Sequence, residues 1–89
     1  MSILEILKKH PADTLAFVEN GDLDSGDLYE DLYSYYSNNG EMPYGVAKGR
    51  DGDPGEWIGD RLQQELASPY KGWEMYKFLI QLPRLVRGG

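Results

Sequence analysis

The sequence predicts an all-α domain: a small bundle of four to five short helices with one long ordered loop at about residues 38–52. Three observations predict it. Five helix starts carry a capping residue, a proline at the first position, or both. The apolar residues that follow recur at helical spacing. No stretch shows the Val/Ile/Thr-rich alternation that a half-buried strand requires.

The elements follow in order. Ser2 with Glu5 three residues on forms a capping box, and Ile3, Leu4, Ile6 and Leu7 make the first apolar face. His10-Pro11 stops that helix and opens a second, Pro11 to about Glu19, which ends at Asn20-Gly21. Asp24 or Ser25 caps a third helix to about Ser37, closed by Asn38-Asn39-Gly40. Asp53-Pro54-Gly55-Glu56 opens a fourth, Pro54 to Ala67. Ser68-Pro69 opens a fifth, ending near Leu82 because Pro83 follows, so the basic tail 83–89 is expected to be flexible. The connection over 38–52 is long for a compact domain, and connections of that length are usually functional. Met42-Pro43-Tyr44 gives it anchors, which favours order.

Eighty-nine residues suffice for one core, residues 1–89 forming a single domain. Forty per cent apolar content with two Trp supports a packed interior. There is no cysteine, which excludes disulfides and thiolate metal sites. No apolar run approaches a membrane span, and the N-terminal stretch lacks the pattern of a secretory signal. A cytoplasmic location is therefore expected, in the host cytoplasm if the gene belongs to a phage.

The net charge of −6 is unevenly spread. Between Pro11 and Ala47 there are eight carboxylates, no Lys or Arg, and five tyrosines. From Lys71 onward four basic residues face one acid, Glu74. An acidic middle repels phosphate and anionic lipid and attracts cationic protein surfaces. Tyrosine beside it suits an interface, apolar on its body and polar at its tip.

On the third helix Leu28, Leu32 and Tyr35 fall together, with Tyr36, Tyr29 and Tyr33 extending the arc. Tyr29 and Tyr33 are read either as the rim of the core or as a partner-binding strip. Trp57 falls off the Ile58–Leu62–Leu66 stripe, either covering the loop near Tyr44 or anchoring a partner. The last helix carries apolar residues around most of its circumference, as a central strut or a subunit interface would.

Chemistry-bearing patterns are sparse. Asn20–Asp31 places oxygen side chains at positions 1, 3, 5 and 12 of an EF-hand calcium loop, but Ser25 stands where glycine belongs. Asp51, Asp53 and Glu56 are explained by their place at a helix start. His10, the single histidine, is a turn residue in this reading. No catalytic or nucleotide-binding constellation is present, so no enzyme, cofactor or resident metal is expected.

Two resemblances are of type. Arg84-Leu85-Val86-Arg87-Gly88-Gly89 resembles the diglycine tail of ubiquitin and sulfur-carrier proteins, which implies adenylation at Gly89 on a β-grasp domain. The helical reading departs from that fold. Pro43-Tyr44, followed by Asp51 to Pro54 opening a helix, is loosely similar to nuclease-colicin immunity proteins, which are small, acidic and helical.

The expected function is a small acidic, non-catalytic inhibitor or adaptor of the anti-CRISPR, anti-restriction or nuclease-immunity type, encoded by a phage or mobile element. It would cover the basic surface of a nucleic-acid-binding protein, without binding nucleic acid or membrane itself. The expected contact residues are Asp22, Asp24, Asp27, Glu30 and Asp31, with Tyr29, Tyr33, Tyr44 and Trp57 as anchors. The alternatives are a calcium-responsive helix–loop–helix at 20–31 and a self-associating helical protein, a homodimer through the last helix.

Overall fold

In the computed structural model, residues 2–21, 23 and 26–88 are described. They form six helices and no strand: α1 (Ile3–Lys9), α2 (Pro11–Asn20), α3 (Asp27–Asn38), α4 (Tyr44–Ala47), α5 (Pro54–Ala67) and α6 (Trp73–Arg87). The domain is all-α.

Local chemistry sets the boundaries. Ser2 Oγ accepts from the Glu5 amide at 3.2 Å, which satisfies one orphan donor at the start of α1. His10 is both the last cap of α1 and the first of α2, where Pro11 fills a position needing no N–H. Thr14 is fully buried beneath this corner, its hydroxyl 2.8 Å from the His10 carbonyl and 3.2 Å from that of Leu7. Gly21 closes α2 in the left-handed region at φ 79°, as its sequence position predicts.

Four boundaries differ from the sequence reading. Helix α3 is capped at Gly26, whereas Asp24 and Ser25 lie outside the described residues. The connection after α3 is ordered as expected but includes the single turn of α4. The Glu41 and Met42 amides both donate to the Tyr36 carbonyl, and Met42 and Val46 are buried. Ser68 does not cap a helix at Pro69. Its hydroxyl accepts from the Tyr70 amide instead, and α6 begins only after Gly72 at φ 92°.

Nor does Pro83 end the last helix, which runs on to Arg87 before Gly88 at φ 72°. Proline removes one backbone bond, and two contacts beyond it hold the extra turn. Val86 packs against the core. The Arg87 guanidinium sits 2.7 Å from both carboxylate oxygens of Glu19 on α2.

The core joins Ile6 and Leu7 of α1, Leu15 and Phe17 of α2, and Leu28, Leu32 and Tyr36 of α3 to Ile58 and Leu62 of α5. Helix α3 lies against α1 and α5, while α6 packs chiefly on α2. The last helix buries Met75, Phe78 and Leu82 along one side only. It is a surface helix. The central-strut reading fails because i, i+3, i+7 spacing puts Trp73, Tyr76 and Ile80 on the side away from α2.

Candidate protein-interaction surfaces

The acidic residues of α3 divide by helical position. Asp27 and Glu30 lie on its outer face, exposed, and no Lys, Arg or His among the described residues is within ion-pair distance of either. Asp31, one step round the helix, faces α1. It accepts from His10 Nε2 at 2.7 Å and lies 3.5 Å from Lys9 Nζ. The bond from His10 holds its carboxyl below the usual carboxylate range, with Lys9 assisting. The expectation that Asp31 belongs to a free acidic surface is corrected: its charge is met within the molecule. The same contact turns the twelfth position of the proposed calcium loop toward α1. Asp22 and Asp24 lie outside the described residues.

The aromatic candidates divide in the same way. Tyr29 is half-buried and lies against the first turn of α5, where a Cβ at Gly55 would stand 3.2 Å from its ring. Its phenol is pushed up, by burial first and then by the nearby Asp53 carboxylate. Tyr33 lies tilted against Tyr29, ring centres 6.2 Å apart, and donates its hydroxyl to the Ala47 carbonyl at 3.0 Å. Tyr33 therefore fastens α4 to α3. Trp57 meets the buried ring of Tyr36 edge-on, with centroids 5.3 Å apart, and is half-buried there. It packs on the core rather than on Tyr44.

Tyr44 is 68% exposed, but its surroundings are cationic. Lys48 Nζ and the Arg50 guanidinium lie 5.6 and 5.5 Å from its ring centre. The loop's two cations thus gather on the tyrosine expected to stand beside the acids. A basic partner meets repulsion there.

One feature escaped the sequence reading. Asp53 occupies the N-cap position of α5 that the sequence predicts, yet its side chain makes no capping bond and stands beside Tyr29. With Asp27, Glu30 and the exposed Glu56 it extends the unpaired negative charge from α3 onto the start of α5. Only packing could bring these segments together.

A second surface is the outer strip of α6, the helix whose apolar excess the sequence shows, where Trp73, Tyr76 and Ile80 are 66%, 45% and 60% exposed. The two rings stack at 5.7 Å, with Lys77 beside Trp73 and Lys71 beside Tyr76. Beside this strip, a groove of about 480 Å³ between α6 and the α1–α2 corner has Phe78, Leu85 and Pro11 in its wall and Lys8 and Lys77 at its edge. The signal was present in the sequence: the last helix has more apolar residues than one packed side can bury.

No group of three or more potential metal ligands converges among the described residues. No described helix is long and apolar enough to cross a membrane. Comparison with models of protein families, with curated proteins and with solved structures found no match.

Proposed function

We propose that this chain is a non-catalytic protein-binding domain that uses its acidic flank to cover a basic, nucleic-acid-handling surface of a partner. The observation that carries the proposal is the exposed charge of Asp27 and Glu30 on the outer face of α3, with no ion-pair partner among the described residues, together with Asp53 beside Tyr29 and the exposed Glu56 at the start of α5. Such a flank raises the encounter rate with a cationic surface, and the half-buried Tyr29 supplies apolar area beside Asp53. The reading is of the anti-restriction, anti-CRISPR or nuclease-immunity type, in which an acidic protein occupies a surface built for phosphate. Asp22 and Asp24 belong to the same stretch of sequence and would add to it.

The test compares the wild-type chain with the double variant Asp27→Lys/Glu30→Lys, each immobilised and exposed to the same host lysate. The expected result is a nucleic-acid-binding protein retained by the wild type, released by salt and lost on the variant. Added wild-type chain then inhibits that protein's action on nucleic acid. Equal retention by both chains, or undiminished nucleic-acid activity, overturns the proposal. Asp31 is left intact because its reversal would also break the contact with His10.

A further inference from the structure

Beside its packed side, α6 carries a second stripe. Glu74, Lys77, Phe78, Gln81 and Leu85 recur at intervals of three and four, so they follow one another along the helix. Lys8 of α1 and Pro11 of α2 stand across from them, and the groove of about 480 Å³ lies between. From Glu74 to Leu85 its α6 wall is about 16 Å long, at 1.5 Å per residue.

Cations border this groove on both sides. Lys77 and Arg84, seven residues apart and both exposed, form a row on α6 between the groove and the strip of Trp73 and Ile80. Lys8 is the exposed cation of the opposite edge. No acid among the described residues is within ion-pair distance of Lys8, Lys77 or Arg84. Glu74 is the one acid in the wall, and it lies at the groove's end, in the first turn of α6. An apolar trough with a cationic border thus stands on a chain whose net charge is −6.

We propose that this trough is the docking site for an acidic amphipathic helix of a partner protein. The apolar face of that helix enters against Phe78, Leu85 and Pro11. Its flanking carboxylates meet Lys8 on one side and Lys77 and Arg84 on the other. The stacked rings of Trp73 and Tyr76 widen the contact with rigid aromatic area, the kind that dominates interface energies.

Charge complementarity selects this occupant. The cationic border repels a basic partner and an identical groove on a second copy alike. A small amphiphile fills the trough but leaves Trp73 and Ile80, 66% and 60% exposed, in water. An anionic membrane is flat against a concave groove, and the chain's net charge opposes its approach. A helix covers groove and strip together. Its anchors at i, i+4 and i+7 span about 10 Å, well within the length of the α6 wall.

This inference does not rest on the acidic-flank reading. The groove belongs to α6 and the α1–α2 corner, whereas Asp27 and Glu30 are exposed on α3. The two surfaces have opposite sign and take different partners.

The test selects a displayed library of random peptides, each about 16 residues long, on the full chain, a length that makes a helix of about 24 Å. Enriched sequences are expected to place Asp or Glu beside apolar residues at helical spacing, and to gain helical circular dichroism on binding. Fluorescence anisotropy then measures the best such peptide against variants. Lys8→Glu/Lys77→Glu weakens it at least about tenfold, and salt weakens it on the wild type. Leu85→Asp, on the groove's exposed wall, also weakens it. Asp27→Lys/Glu30→Lys leaves it unchanged.

A library that enriches basic sequences, or nothing above background, overturns the proposal. So does an acidic peptide whose affinity is indifferent to Lys8→Glu/Lys77→Glu and to Leu85→Asp. Trp73 fluorescence that shifts on phosphatidylglycerol vesicles but with no acidic peptide reassigns the surface to lipid and also overturns it.

Discussion

His10 donates from Nε2 to a carboxylate oxygen of Asp31 at 2.7 Å, joining the α1–α2 corner to the second turn of α3 across 21 positions of sequence. This contact makes part of the domain's stability depend on pH. The folded-state value of Asp31 lies below its unfolded value of about 3.9. Its contribution is therefore complete above about pH 4 and falls away as acid takes the pH down through the lower folded value. Asp31→Asn removes that dependence. Urea midpoints should fall less steeply below pH 4 in the variant than in the wild type. Parallel slopes would show that the contact contributes nothing in solution.

Two tyrosines of α3 make a contrasting pair. Tyr33 donates to the Ala47 carbonyl, whereas the fully buried Tyr36 hydroxyl meets no acceptor among the described residues. Burial raises the Tyr36 phenol far above its ordinary range, so it stays protonated throughout the folded range. Tyr33→Phe is expected to cost about 1 kcal/mol, and Tyr36→Phe to be neutral or stabilising. Chemical denaturation of the two variants side by side decides it, and equal losses would refute the distinction.

Thr14 has no exposed surface, and its hydroxyl is bonded back to the carbonyls of the α1–α2 corner. Thr14→Val keeps the shape and removes the donor. A loss of about 1 kcal/mol is expected, since both carbonyls retain their backbone partners. A Thr14→Val protein as stable as the wild type would mean that the hydroxyl does not hold the corner.

The two-oxygen contact of Arg87 with Glu19 is short but exposed, at 59% and 42% of the two side chains. Screening by water limits such a pair to about 0.2–1 kcal/mol. Arg87→Ala should lower stability by that amount at low salt and by less at high salt. Amide exchange should also speed up beyond Pro83, where the pair pins the last turn of α6. Unchanged exchange there would leave Val86 as the sole fastening.

Much of the architecture is decided by short-range chemistry. Ser2 with Glu5, His10-Pro11, Asn20-Gly21 and Asp53-Pro54 act within a turn of their own positions, and α1, α2 and α5 begin and end near where those residues place them. Proline at 83 misleads for the opposite reason, a local signal outvoted by distant contacts, Val86 against the core and Glu19 on α2. Serine at 68 yields to another local signal, Gly72 four residues on. The one-turn α4 rests on the hydroxyl of Tyr33, eleven residues before it, which no local pattern announces.

The sequence by itself determined the helical class, most helix starts, and the separation of an acidic middle from a basic end, because composition and capping need no knowledge of what packs where. The tertiary structure alone decided which charges remain unpaired. Asp27 and Asp31 share a helix and a chemistry, yet only Asp31 has His10 and Lys9 brought against it. It also decided that Trp57 faces inward and Trp73 outward, since a core of fixed volume accepts one side of each helix and leaves the other to solvent.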